Sequence, residues 1–507
     1  MATTGDIQEN LFDSSGIPSK TPATKSTLTP MSPLAASATV INLILATGPF
    51  TYPSQFASLG PVFSLAFLFF TAIISYITST FVIEAISYAN AIKQSRRLET
   101  LFPDESYSNA SVMQRFNGKD KEVKASPYYI REKLEIGRLL DTFCARWIKV
   151  FLMVILVIYM YGAMCLKYAS GAESFVQAVS FTIYKDANAW TNKWPGFDPY
   201  YLGIILFGTL SLMFSFGNIE NSKTLQIVTS VCRLVVITFM YGGTIYYLAK
   251  DGVNTAPVFD IGNQLSHVAN AFGGTVFVFI FHHSISGIVY PIRPQTEVKP
   301  MFLTSHIVGS TLLAIEGMLA WLAFSGIKRN CSEGYPCSIQ NLFNENFLDI
   351  PFIGQVCNFY PMLNVSSVPV LTISLRNNLM EVLPIKEWLS KSNNKVAQFL
   401  LQDNRRLVKG VWSILISIPV IIIVLFEKNP QQFITYTGGI CGTFILFFIP
   451  LTLVWHARKR DLDKTYGENF NKSQFKHPAY LVIVLIYAVL TLSAVITGLI
   501  LGSSSGH

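Results

Sequence analysis

A chain of 507 residues that is 51% hydrophobic and only 13% charged is not composed like a soluble protein, in which about a quarter of the residues carry charge. Its mean hydropathy of +0.41, with 38 Phe and 22 Tyr, points to repeated membrane crossings. The net charge of +8 makes no case for nucleic acid as a partner, because the Lys and Arg residues flank apolar runs.

Residues 1–33 are polar and rich in Ser, Thr and Pro, with no apolar core near Met1, and read as a disordered cytosolic tail rather than a signal peptide. Taking about 20 apolar residues as the length of one crossing, eleven spans follow: 34–58, 62–92, 148–168, 200–217, 224–249, 264–290, 301–326, 353–378, 408–426, 433–455 and 479–502. With the N-terminus inside, the cytosolic segments hold 29 Lys and Arg and the opposite side 7. That split fits the positive-inside rule and puts the C-terminus outside or in a lumen.

The loop at 93–147 is the longest internal connection. Its end, 131–147, carries Leu134, Leu139, Leu140, Phe143 and Trp147 among charges, as either an interfacial amphipathic helix or an extension of the next span. An outer loop at 327–352 holds Cys331 and Cys337, a disulfide candidate, and Asn330 in an N-glycosylation sequon. Glu84 and Arg376 lie at inner span ends, positions from which side chains snorkel or pair across a gate, and Lys167 and Arg233 read as interface anchors. No phosphate loop, zinc-spaced Cys/His cluster or nucleophile elbow is present, so no enzymatic site and no cofactor are expected.

Two spans carry breaks. The first is interrupted at Ala46-Thr47-Gly48-Pro49-Phe50, where Pro49 lacks an N–H and Gly48 is conformationally permissive. The sixth is interrupted within Phe279–Pro291, at Phe281-His282-His283-Ser284 and then Gly287. Lipid does not tolerate unpaired backbone groups, so each break must face protein, water or a ligand. The breaks lie five spans apart and therefore enter from opposite sides. That is the signature of an inverted-repeat transporter with its site at the midplane. The expected fold is all-α, with repeats at 34–249 and 264–455 and an eleventh helix at 479–502.

Asn42-Leu43-Ile44-Leu45-Ala46-Thr47-Gly48 resembles the Asn-x-Ile-Val-Gly-Ser/Thr-Gly signature of the amino acid/auxin permease superfamily, with Ala46 in place of the first glycine and Pro49 following. Thr80-Phe81-Val82-Ile83-Glu84-Ala85 and Leu375-Arg376-Asn377-Asn378 are similar to its transmembrane protein 104 branch. The resemblance implies an eleven-helix, LeuT-like five-plus-five repeat that carries amino acids or similar small zwitterions across the bilayer. It also implies a substrate site at Thr47, Gly48, Pro49 and Phe50, facing Phe281, His282, His283 and Ser284. Asn42 matches the family's sodium-site asparagine, and Ser366 or Ser367 would stand where sodium-coupled relatives carry threonine.

The proton is the rival coupling ion. Glu316, a carboxylate in the middle of the seventh span, is a relay candidate by default, with His282 as a second. A membrane nutrient sensor that keeps the fold but transports little is the alternative function. The plasma membrane and the lysosomal or endosomal membrane both suit the sequence.

Overall fold

The structure, a computed structural model, describes residues 30–101, 126–186, 189–193, 196–216, 223–326, 338–348, 350–383, 385–392, 394–401 and 406–504. The expected disulfide between Cys331 and Cys337 and the sequon at Asn330 lie outside the described residues. All regular elements among those described are helical. Among the described residues, ten helices are long and apolar enough to cross a membrane. Tyr200–Ser215, where a further crossing is expected, is apolar but only 16 residues long. Side chains on the outside of the bundle are apolar, as with Phe69, Phe70, Ile158, Met213, Ile486 and Leu490, while Ser75, Thr78, Glu84, His306 and Glu316 are buried. This distribution is what a lipid solvent requires of a multi-pass protein.

Both expected breaks are present. Helix α1 (Pro33–Ile44) starts with Ser32 as N-cap, whose hydroxyl accepts from Ala35 N, and with Pro33 in the first turn. It stops because Pro49 cannot donate to the carbonyl four residues back, that of Leu45. The chain turns at 45–47 and resumes as α2 (Gly48–Thr51), running through Tyr52 into α3 (Pro53–Leu101). Gly60, with φ of 70° and ψ of 172°, kinks α3 just before Pro61. A side chain would be strained there, and the kink separates the first crossing from the second.

Helix α4 (Ile136–Phe143) is an element of its own, cut off from α5 (Arg146–Tyr184) by extended backbone at Cys144 and Ala145. It buries Ile136, Leu139, Leu140 and Phe143, so residues 136–143 of that segment form a packed helix and not an extension of the third span, which begins at Arg146. After α6 (Tyr200–Ser215) and α7 (Lys223–Asp251) comes the second broken crossing. Helix α8 (Ile261–Val278) ends, Phe279–Phe281 are irregular, and a 3-10 turn at His282–Ser284 leads into α9 (Ile285–Val289).

Helix α10 (Val298–Phe324) packs against α1 and α3. The next crossing is assembled from Ile353–Asn358, a 3-10 stretch at Pro361–Ser366, and α11 (Ser367–Val382). Helix α12 (Arg406–Phe426) follows. A wide π-helical segment, Ile434–Gly442, then lies against α8 before α13 (Ile449–Lys459) and the final helix α14 (Pro478–Ser504).

One end of the bundle is latched by loops. Glu84, fully buried, receives Arg458 Nε and Nη2 at 2.8 Å each and the Ser473 N–H at 3.0 Å. Ser87 donates to Tyr128 O at 2.6 Å and Asn469 Oδ1 at 3.0 Å. Gln295 exchanges hydrogen bonds with both backbone groups of Ile130. At the same end, Met31 N donates to Pro291 O at 2.8 Å, and Arg293 N donates to Met31 O at 3.1 Å. These two bonds tie the start of α1 to the exit of the second break.

Candidate substrate and coupling site

The carbonyl that Pro49 leaves without a helical donor is satisfied from elsewhere. Tyr360, ahead of the 3-10 stretch, donates its hydroxyl to Leu45 O, and its ring lies 5.5 Å from that of Phe50. Thr51 Oγ1 donates to Thr47 O at 2.8 Å, tightening the first turn after the break. Thr47, Gly48, Pro49 and Phe50 are all buried, and a Cβ on Gly48 would stand 2.8 Å from Leu313 Cδ2. A glycine therefore lets α10 approach the break closely.

On the second break, Phe281 and His282 are buried, and His283 and Ser284 are partly so. His282 Nε2 lies 2.9 Å from Thr78 Oγ1 and 3.2 Å from Ser79 Oγ, both on α3. The Thr78 hydroxyl also lies within hydrogen-bond reach of the carbonyls of Ile74 and Ser75. Nδ1 of His282 is buried with no hydrogen-bond partner.

His306 on α10, which sequence reasoning passed over, belongs to the same cluster. Its Nδ1 donates to Phe302 O at 2.7 Å, so Nε2 accepts from Ser75 at 3.0 Å. Its ring stacks on Phe279 and tilts against Phe281. The only signal for it was a lone imidazole inside an apolar span. His283 packs beside the Tyr159 ring, 5.9 Å between centroids.

The proposed cation ligands are brought together, but around a different cation. Arg233 of α7, 3% exposed, donates from Nη1 to Asn42 Oδ1 at 3.1 Å, and from Nη2 to Leu363 O at 3.3 Å and Ser367 Oγ at 3.5 Å. Asn42 and Ser367 thus share a guanidinium. Ser366 does not join them, since its hydroxyl donates to Leu363 O within its own turn.

Lys167 of α5 is likewise buried, with its ammonium on Asn364 Oδ1 at 3.2 Å. Neither basic residue is the interface anchor expected of it. Glu316 sits in the middle of α10, 1% exposed, and its Oε1 accepts no hydrogen bond. Among the described residues no cluster of three or more His, Cys, Asp or Glu could hold a metal ion.

Two discontinuous crossings packed face to face, with α3 and α10 beside them, define a LeuT-fold membrane protein. The solved structure of MhsT in complex with L-phenylalanine aligns with a TM-score of 0.50 at 11% identity, covering 91% of this chain and 97% of that one. The family model for transmembrane amino acid transporter protein matches residues 29–497, and the chain belongs to that family. Among its relatives are transmembrane protein 104 of Homo sapiens, 25% identical across 89% of this chain and 92% of that one. The transmembrane protein 104 homolog of Dictyostelium discoideum is also 25% identical, across 89% of this chain and 94% of its own.

Proposed function

We propose that the protein is a secondary active transporter of amino acids or related small zwitterions, working by alternating access, with its N-terminus and latched end in the cytosol. The substrate carboxylate would face Thr47–Phe50, where backbone N–H groups begin a half-helix. The amino group would face the carbonyls at Phe281–Ser284 and the bare Nδ1 of His282. Family membership and the paired breaks support this reading.

The coupling ion in this reading is the proton, and the observation that carries it is the Arg233 guanidinium on Asn42 and Ser367. A sodium ion on those oxygens would stand about 4 Å from a fixed positive charge, a repulsion of about 4 kcal/mol at an effective dielectric constant of about 20. The residues present do not fit sodium, and the arginine does the bridging that a bound cation would do. Glu316, a carboxylate buried with no donor on Oε1, is the group assigned to take up and release the proton.

Uptake of a labelled amino-acid panel into proteoliposomes under imposed gradients tests both parts. Stimulation by a proton gradient and not by sodium is expected, with Glu316→Gln keeping counterflow but losing the proton response. Sodium-driven uptake by the unaltered protein would refute the coupling assignment. Absence of uptake and of counterflow for the whole panel would refute transport.

A further inference from the structure

Lys167 and Arg233 bring two basic side chains into the bundle, and their acceptors among the described residues are all neutral: Asn364 Oδ1 for the first, and Asn42 Oδ1, Leu363 O and Ser367 Oγ for the second. The two side chains are joined through one polar chain. Asn364 Oδ1 accepts from Lys167 and, at 3.4 Å, from the Ser367 hydroxyl, and Ser367 Oγ accepts from Arg233. Lys167 is 6% exposed, Arg233 3% and Asn364 1%. Within this buried chain two donors go unused, Arg233 Nε and Asn364 Nδ2.

Buried charges with neither an opposite charge nor a full set of hydrogen bonds cost several kcal/mol. The cluster also borders the proposed substrate site. Arg233 holds Asn42 just before the first break, and Tyr360, three residues before Leu363, holds Leu45 O within it. We infer that Lys167, Arg233 and Asn364 form an anion subsite next to the first break. The transported solute fills it with a second carboxylate, which makes the substrate an acidic amino acid rather than a neutral one. This inference rests on the transporter reading above. A free inorganic anion such as chloride has the same chemistry, and the test separates the two sources.

The full-length protein in proteoliposomes is assayed for uptake and counterflow of labelled L-glutamate, L-aspartate and L-alanine, in chloride and in gluconate buffer. One charge-assisted hydrogen bond is worth about 1.5–3 kcal/mol, so KM for the acidic solutes should lie at least about tenfold below that for alanine, whatever the buffer. Lys167→Met should erase that preference. Asn364→Asp, which is nearly isosteric and supplies a fixed carboxylate, should reverse it, and it carries the test if Lys167→Met does not fold.

Alanine uptake that requires chloride, and loses the requirement in Asn364→Asp, would keep the subsite but overturn the acidic solute. Equal KM values for glutamate and alanine, unaffected by chloride and by both substitutions, would overturn the subsite itself. If no amino acid is transported or exchanged, the transporter reading fails on its own, and thermal unfolding in detergent decides the subsite. A rise in Tm with glutamate but not alanine, abolished in Asn364→Asp, supports it, and no shift with glutamate or chloride overturns it.

Discussion

Removing the charge of Glu84 should open the latched end of the bundle. The carboxylate is fully buried and accepts three hydrogen bonds, two from Arg458 at 2.8 Å and one from Ser473 N at 3.0 Å. In Glu84→Gln an amide NH2 faces a guanidinium donor, so at least one charge-assisted bond is lost, worth about 1.5–3 kcal/mol. The upper bound is the cost of breaking a buried pair, about 3–5 kcal/mol. Arg458→Met should cost more than Glu84→Gln, because Arg458 is 17% exposed at its side chain and its partner 0%.

A loss of about 3 kcal/mol would shift the balance between latched and open forms by roughly a hundredfold. The assay is thiol labelling of a cysteine placed at Ser473 from the side on which residues 469–476 lie, compared in Glu84→Gln, Arg458→Met and the double variant. Labelling should accelerate in both single variants and by less than their product in the double one. Equal labelling in all four proteins, with unchanged thermal stability, would refute the latch.

Three further outcomes are expected. Gly60→Ala should lower thermal stability by about 1–3 kcal/mol, because φ is +70° and the new Cβ would meet Gln264 Nε2 at 2.6 Å and Val258 O at 2.9 Å. An unchanged Tm would remove the kink from the account. Tyr360→Phe should cost about 1–3 kcal/mol by leaving the Leu45 carbonyl buried without a donor, read as a fall in Tm. Burial, reinforced by the nearby Glu173, pushes the Glu345 carboxyl up to about 8. The folded state therefore holds this proton more tightly than the unfolded chain. Its stabilising contribution is complete below the ordinary value of 4.5 and is lost as pH rises through about 8. Thermal unfolding between pH 5 and 9 should show that decline, and Glu345→Gln should flatten it.

The sequence carried the architecture further than the site. Pro49 and Gly48 announced the first break, and the irregular Phe279–Phe281 stretch lies immediately before the polar residues His282-His283-Ser284 that interrupt the apolar run. Both effects are local, so one chain suffices to read them. The kink at Gly60, just before Pro61, was not read from the sequence, although it falls between the expected spans 34–58 and 62–92. Asn42 and Ser367 were singled out together, yet their common partner was not, because Arg233 lies 191 residues from Asn42 and 134 from Ser367. Hydropathy assigns a basic residue in an apolar run to the nearest interface. Only packing reveals that Arg233 and Lys167 reach inward. His306 escaped notice for the same reason, as nothing local distinguishes an imidazole bonded to Ser75 from one facing lipid. Glu84 was expected near a gate, but Arg458, 374 residues away, is set opposite it by the fold alone.

The bridge between Met31 and Ile292 has a mechanical consequence. Its two backbone bonds fasten the base of one discontinuous helix to the foot of the other, so neither end can shift alone without breaking the bridge.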